Sequence, residues 1–316
     1  MISEAARVER PVAVAYRVLQ LGDLLVAVPA LKALRRALPG HRLLLATSPW
    51  LAPVVDLIGE VDGLVPVDAL GDPLPFRPGE VDVVANLHGG GAESAAVVDA
   101  LGARITARHA RVPGEPGPEW LDEQHERARW VRLTAAFGMP GDPDDVRIDR
   151  SAVASPAPGA AVVHVGAGYG SREWPAERFA GVARALKTRG GHVVFSGSSG
   201  ERDRALQVAA RAGLPEERVL AGATGLGEFA ALVADARLVV TGDTGAGHLA
   251  SAYGTPSVVL FGPAPPERWG PPPGPHVVLT HAEVRDGDAW SERTDPALAA
   301  VTVDEVLAAV ERLPVR

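Results

Sequence analysis

Glycine, threonine, aspartate and histidine crowd into TGDTGAGHLASAYGTP, residues 241–256. Apolar, strand-like residues precede and follow this stretch, at 237–241 and 257–261. Free backbone N–H groups at the start of a helix, with the helix dipole behind them, bind anions, and glycines let a diphosphate approach. The stretch therefore predicts an anion site at the end of a strand. Asp243 would hold the turn or bind a sugar hydroxyl, and His248 would donate to phosphate or cap the helix.

A second glycine-rich loop, HVGAGYGSREWP at residues 164–175, also follows a strand-like run. Its glycine spacing is not GxGxxG, and no acidic residue stands about 20 positions on to bind a dinucleotide ribose, which argues against a nicotinamide cofactor. Arg172 is instead a candidate phosphate clamp, because a guanidinium can bind two phosphate oxygens at once. A solvated arginine on a surface loop is the alternative. A third loop, FSGSSGE at 195–201, would contact a nucleotide or form a plain turn.

The tripeptide LGD at residues 21–23 follows a strand-like run, 12–18, and opens a helical pattern. Asp23 would cap that helix, or it would be a carboxylate at the mouth of a binding site that accepts a proton as a general base. His88 follows another strand-like run and precedes three glycines. It is a further candidate for contact with a substrate.

Strand and helix patterns alternate in two series, separated by the small, uncharged and proline-rich stretch 151–160. Such alternation predicts an α/β protein with two Rossmann-like, doubly wound domains. Ligands of these sheets bind outside the carboxyl ends of the strands, so we expect the domains to face an interdomain cleft. The predicted boundaries are 1–152 and 153–298 for the two domains, and 299–316 for a C-terminal helix that packs back on the N-terminal domain.

Composition excludes several classes of protein. The 316 residues carry a net charge of −8, which argues against a nucleic-acid partner. The absence of cysteine excludes disulfides and Cys-type zinc or iron–sulfur sites and favours the cytoplasm. No apolar run is long enough to span a membrane. No cluster of His, Asp and Glu has metal-ligand spacing, so we expect no metal and no cofactor.

Three motifs together resemble the heptosyltransferase family, glycosyltransferase family 9. They are VLQLGDLLVAVPALKALRRALP, HVGAGYGSREWPAERFAGVARAL and DTGAGHLASAYGTPSVVLFGPAPP, and their order and spacing match over roughly residues 12–270. The resemblance implies a GT-B fold, with the acceptor on the N-terminal domain and a nucleotide sugar on the C-terminal domain. It also implies inverting, metal-independent transfer of a sugar from a nucleoside-diphosphate donor, typically ADP-heptose, to an acceptor hydroxyl.

Roles of individual residues follow from the same resemblance. Asp23 would be the catalytic base, and His88 and Gly22 would lie on the acceptor side. Arg172 would contact the donor phosphates. The remaining donor-binding candidates are Gly168, Ser171, Ser198, Glu228, Asp243, Thr244, Gly245, Ala246 and His248.

The acceptor is less well defined than the donor. Arg77 is the one basic residue in the region 48–100, whereas family members that act on lipopolysaccharide often carry basic residues on this domain. The residues after Asp23 are also apolar where the family often has a polar side chain. A lipid-linked glycan, a glycan precursor and a small natural product all stay open as acceptors.

Two other classes of function stay open beside the glycosyltransferase. One is a nucleotide-sugar epimerase or hydrolase of GT-B architecture, and the other is a non-catalytic nucleotide-sugar binder. We expect a cytoplasmic monomer, with peripheral attachment to the inner face of the membrane as an open alternative.

Overall fold

The computed structural model describes residues 10–314; the first nine and last two residues of the predicted domains lie outside them. The described residues divide into two compact units. The first holds residues 10–19, 27–122 and 127–145, and the second holds 20–26, 123–126 and 146–314. This division differs from the predicted boundary after residue 152, because residues 20–26 and 123–126 group with the second unit.

The first unit contains a five-stranded parallel sheet with strand order β3-β2-β1-β4-β5. Its strands are β1 (Val12–Tyr16), β2 (Arg42–Thr47), β3 (Gly63–Pro66), β4 (Val81–Asn86) and β5 (Ile105–Ala107). The helices between and after them are α1 (Leu21–Ala37), α2 (Ala52–Val55), α3 (Ala92–Asp99) and α4 (Glu126–Ala136). The central strands are near-continuous apolar runs, which is typical of parallel strands covered on both faces.

The second unit contains another five-stranded parallel sheet, with order β10-β9-β8-β6-β7. Its strands are β6 (Ala161–His164), β7 (Val193–Ser196), β8 (Leu238–Gly242), β9 (Ser257–Leu260) and β10 (His276–Leu279). Its helices are α5 (Ala176–Thr188), α6 (Arg202–Arg211), α7 (Leu226–Ala234), α8 (Gly245–Tyr253), α9 (Pro266–Trp269), α10 (Pro296–Ala300) and α11 (Val303–Arg312).

The order of the strands locates the ligand-binding edge of the second sheet. Strand β6 pairs with β7 on one side and with β8 on the other, so the chain reverses its direction of winding between β6 and β8. His164 and Thr241 lie side by side at the carboxyl ends of these two strands. Ligands of doubly wound sheets bind at this kind of switch point, and the two glycine-rich motifs both begin there.

Helix α11 corrects one expectation from the sequence. The helix was expected to pack back on the N-terminal domain, but its apolar face belongs to the core of the second unit. Val306, Ala309 and Val310 are buried there together with Phe179 and Leu186 of α5. The apolar residues of α11 therefore pack against α5 and the second sheet.

None of the helices among residues 10–314 is both long enough and apolar enough to cross a membrane.

Candidate functional site

The stretch at residues 241–256 forms the strand, turn and helix that its glycines predict. Thr244 is the N-cap of α8, and its Oγ1 accepts a hydrogen bond of 3.3 Å from the backbone N of Ala246. The same hydroxyl lies 2.9 Å from Oγ1 of Thr241, at the end of β8. Gly254, with φ of +67°, ends the helix in the left-handed conformation that glycine adopts without strain. The two threonines thus fix the turn at the start of α8, where the positive end of the helix dipole favours an anion.

Asp243 lies directly before this helix and is almost completely buried. Its carboxylate is 3.6 Å from Nη1 of Arg172 and 3.9 Å from Nε2 of His248. Burial raises the pKa of Asp243 to about 6; the positive charge of Arg172 opposes that rise, and the nearby carboxylate of Asp23 adds to it. The site therefore combines two carboxylates, a guanidinium and an imidazole within one unit of the chain.

Arg172 stands at the end of a short 3-10 turn, Gly170–Arg172, between β6 and α5. Its Nε is buried and has no hydrogen-bond partner among the described residues, while about a third of the side chain is exposed. A buried donor without a partner costs free energy unless a ligand or water accepts from it. Two residues after Arg172, Trp174 anchors the chain. It is fully buried, and its Nε1 donates to the carbonyl of Val301 at 3.1 Å.

Asp23 lies in the first turn of α1, and the backbone N of Gln20 donates to its Oδ2 at 3.3 Å. Two glycines, Gly22 and Gly245, let this turn and the start of α8 approach each other closely, because neither has a side chain. A Cβ on Gly22 would come within 2.9 Å of the His248 ring, and a Cβ on Gly245 would come within 2.8 Å of the Leu21 side chain.

The segment that carries Asp23, residues 20–26, is therefore part of the second unit. The expectation that Asp23 lies in the opposite domain from the diphosphate loop is corrected accordingly. The linear sequence does not display this membership or the close approach of Gly22 to His248 and of Gly245 to Leu21.

Ser171, a predicted donor-binding residue, is fixed by contacts within the second unit. Its side chain is fully buried, and its hydroxyl donates to the carbonyl of Ala289 at 2.9 Å. Its backbone N donates to the carbonyl of Ser291, and its own carbonyl accepts from the backbone N of Asp295. The hydroxyl of Ser171 therefore fixes residues 289–295 against the loop, and its predicted contact with the donor stays a prediction.

The other predicted residues of the donor side lie at the carboxyl ends of strands or in the first turns of helices. Gly168 and Ser198 are exposed after β6 and β7, and the backbone N of Ser198 donates to Glu201 at 2.6 Å. Glu228 is exposed in the first turn of α7 and accepts from the backbone N of Gly225 at 2.8 Å. Gly245 and Ala246 begin α8. Their contacts with a donor stay predictions.

His88 lies in the first unit, two residues after the end of β4. Its Nδ1 is 3.3 Å from the backbone N of Val18, which donates to it, and its ring lies 5.8 Å from that of Tyr16. Its place at the carboxyl end of a central strand agrees with a binding role in a doubly wound sheet. The predicted contact with an acceptor stays a prediction.

Sequence reasoning missed three residues that shape the site. Trp269 of α9 stands edge-on to His248, with ring centroids 6.5 Å apart, and a small cavity of about 10 Å³ is lined by both rings. Glu201 accepts from the backbone N of Ala167 at 2.8 Å, and Arg204 binds the loop around Arg172. The sequence did carry a signal for Glu201. It stands three positions after Ser198, and a serine followed three residues later by an acidic residue is typical of a helix start.

No group of three or more His, Asp or Glu side chains suited to a metal ion occurs between residues 10 and 314. The predicted absence of a metal and a cofactor stays a prediction. The positive charge seen at the site comes from Arg172 and from the start of α8.

Comparisons with known proteins agree with this arrangement. The family model "Glycosyltransferase family 9 (heptosyltransferase)" matches residues 133–285. Lipopolysaccharide heptosyltransferase 2 of Escherichia coli K12 is 32% identical over 152 residues, covering 45% of this chain and 43% of that protein. Lipopolysaccharide heptosyltransferase 1 of Pseudomonas aeruginosa is 29% identical over 283 residues, covering 78% and 77%. The match to the E. coli relative thus spans less than half of its length.

A solved structure extends the likeness to the whole fold. The structure of E. coli ADP-heptose lps heptosyltransferase II matches with a TM-score of 0.74 at 20% identity, covering 95% of this chain and 97% of that one. This likeness, with the two parallel sheets, confirms the predicted GT-B class of two Rossmann-like domains. Sequence motifs, the family model and the fold agree: the chain is similar to glycosyltransferase family 9, the heptosyltransferases, in sequence and in architecture.

Proposed function

We propose that this protein is a glycosyltransferase that moves heptose from ADP-heptose to an acceptor hydroxyl. The family supports the class of reaction, and the names of the similar proteins support the sugar. One observation carries the proposal. The unpartnered Nε of Arg172, the start of α8 and the carboxylate of Asp23 all occur in one unit, around Asp243.

The donor diphosphate would be held by Arg172 and the first amides of α8. Negative charge grows on the diphosphate as the bond to the sugar breaks. Donors that are already in place stabilise that charge without reorganisation, and a buried, dry site increases the effect. Because this charge can be met by a guanidinium and a helix N-terminus, we propose transfer that does not depend on a metal.

Asp23 would be the general base. The acceptor hydroxyl attacks the anomeric carbon, its proton passes to the Asp23 carboxylate, and ADP leaves from the opposite face. This sequence inverts the configuration at the anomeric carbon, in agreement with the expectation for the family. A positioned carboxylate contributes typically 10²- to 10⁴-fold to such a step.

Asp243 and His248 would contact the sugar and the phosphate closest to it. A carboxylate beside a diphosphate repels it, and the raised pKa of Asp243 shows that its charged form is already disfavoured. A sugar hydroxyl is a better partner, because it can donate to the carboxylate. His248, 3.9 Å away, would bridge between this carboxylate and the phosphate.

The acceptor is proposed to carry the hydroxyl of a glycan, since the similar proteins are named for lipopolysaccharide. His88, at the carboxyl end of β4, is the proposed contact in the first unit. The side chain of His248 occupies the space beside Gly22, so this glycine admits the ring, and its predicted place on the acceptor side stays a prediction. The predicted cytoplasmic location and monomeric state stay predictions.

A thermal-shift panel tests the donor. The purified protein is mixed with ADP, GDP, UDP, dTDP and available sugar derivatives, because a ligand of the native state raises the apparent melting temperature. We expect the largest shift with ADP and ADP-heptose. No shift with any nucleoside diphosphate would contradict the proposal.

A second assay separates the alternatives. ADP-heptose is incubated with the protein, with and without a glycan acceptor, and the products are followed by NMR. Release of free heptose without acceptor would indicate a hydrolase, and a change of configuration within the nucleotide sugar would indicate an epimerase. Binding without turnover of any acceptor would favour a non-catalytic binder.

A further inference from the structure

Arg204 of α6 contacts both ends of the loop that carries Arg172. Its Nε donates to the carbonyl of Val165, the first residue after β6, at 3.0 Å. One Nη donates to the carboxylate of Glu173 at 2.9 Å, and the other donates to the carbonyl of Trp174. The planar guanidinium, with five donors in a fixed fork, thus holds the entry and the exit of the loop at a set separation.

The loop between these ends depends on outside support. Residues 166–171 read GAGYGS, and glycine leaves a backbone more conformational freedom than any other residue. Glu201, one turn before Arg204, accepts from the backbone N of Ala167. Ser171 is held from the other side by residues 289–295. These anchors are distant in sequence, and on the side of β6 they come from Glu201, just before α6, and from Arg204 within it.

The guanidinium of Arg172 depends on this backbone. Its Nε has no partner among residues 10–314, and its closest ionic neighbour, Asp243, is 3.6 Å away. No short hydrogen bond therefore fixes the direction of the Arg172 side chain. Its position depends instead on the backbone of the loop. Glu173 and Trp174, the next two residues, are the ones that Arg204 binds.

We propose that Arg204 is a positioning residue that sets the place of Arg172 for the donor diphosphate. The inference rests on the proposed function, since it takes a nucleoside diphosphate as the ligand of Arg172. Arg204 acts through the loop and does not touch the donor. A displacement of about 1 Å in such a clamp is enough to cost a large factor in binding or rate.

Arg202 provides a matched control on the same helix. It is also an arginine that bonds one carbonyl and one carboxylate, donating to Ala221 at 3.0 Å and to Glu216 at 2.9 Å. These partners lie outside the loop 165–174. Arg202→Gln therefore measures what the loss of comparable contacts from α6 does to stability alone.

The test uses ADP as the probe. Its dissociation constant is measured by calorimetry for the wild type, Arg204→Gln, Arg202→Gln, Arg172→Ala and the double variant of 204 and 172, together with their melting temperatures. We expect Arg204→Gln to weaken ADP about tenfold and Arg202→Gln to change it less than about twofold. In the double variant the loss should equal that of Arg172→Ala alone, because the two residues act as one unit.

The outcomes separate this inference from the function on which it rests. Failure of the wild type to bind ADP would overturn the proposed donor and this inference with it. If the wild type binds and Arg204→Gln binds equally well, or if the losses at 204 and 172 add, the inference alone is wrong. Should Arg204→Gln fail to fold, Arg204→Lys and Glu173→Gln take its place. Each removes part of the contact, and each is expected to weaken ADP by a smaller factor; unchanged binding in both would overturn the proposal.

Discussion

The ring of His248 lies directly against the backbone of Gly22. A Cβ at position 22 would stand 2.9 Å from Cδ2 of the ring, closer than real Cβ contacts allow. Since Asp23 is the next residue, this contact sets where the proposed base stands with respect to α8. The glycine of the LGD motif is thus required by close packing and not by an unusual backbone angle.

Gly22→Ala is expected to lower kcat by about 10²-fold, because the added methyl must displace either His248 or the turn that bears Asp23. Binding of ADP should change less than kcat, since Arg172 is not altered and only a displacement of His248 would disturb a proposed phosphate contact. Gly40→Ala is the matched control, because a Cβ there meets no described atom within 4 Å. Equal rates for the wild type and Gly22→Ala would show that this contact does not position the base.

Asp23→Asn is expected to reduce transfer by 10²- to 10⁴-fold, since the amide cannot accept the proton of the acceptor hydroxyl. The dissociation constant for ADP should stay close to that of the wild type. Steady-state rates and calorimetry on the same preparation check both. A variant that transfers heptose at the normal rate would remove Asp23 from the role of base.

Arg172→Ala is expected to weaken ADP by about 10- to 100-fold, which corresponds to the loss of one charge-assisted contact. Arg172→Lys should recover part of the loss, because the charge remains but the paired geometry of the guanidinium does not. Arg189→Ala, an exposed arginine at the end of α5 paired with Glu311, serves as the control. The role fails if all three variants bind ADP alike.

Asp243 predicts a dependence of stability on pH. Folding raises the pKa of this carboxyl from 3.8 to about 6, mainly because it is buried. The native state therefore binds more protons than the unfolded state between those values, and this contribution to stability falls as the pH rises from about 4 to about 6. The cost is complete above that range and absent below it.

Asp243→Asn should accordingly raise the free energy of unfolding at pH 7.5 by on the order of 1–3 kcal/mol and change it little at pH 4. Denaturant unfolding at both pH values measures the difference, with the exposed Asp68→Asn as control. A variant that is less stable than the wild type at pH 7.5 would mean that the ion pair with Arg172 outweighs burial.

Local sequence was enough to predict the strand-turn-helix around Asp243, because Thr244, Gly245 and Gly254 act through their own backbone and nearest neighbours. It was also enough to choose Arg172 as a phosphate clamp. It did not foresee that Ser171 is buried, since its partners at 289–295 lie more than a hundred residues away. Long-range contacts of this kind leave no periodicity in the sequence.

The apolar residues Val219 and Leu220 favour a strand in the sequence, but the structure forms only a single bridge there. Val219 makes one isolated parallel bridge with Phe195, beside β7, and the residues around it form a turn. The neighbouring 3-10 turn shortens the pairing to this bridge. With that bridge counted, the second sheet has the strand order of a six-stranded Rossmann domain.

The membership of residues 20–26 in the second unit bears on how this chain can be recombined. A chimera that exchanges only residues 146–314 would separate Gly245 and His248 from the Leu21 and Gly22 with which they are fitted. The exchangeable module is therefore discontinuous: a transplanted donor half must bring its own LGD turn, grafted onto the first turn of a helix that otherwise belongs to the recipient.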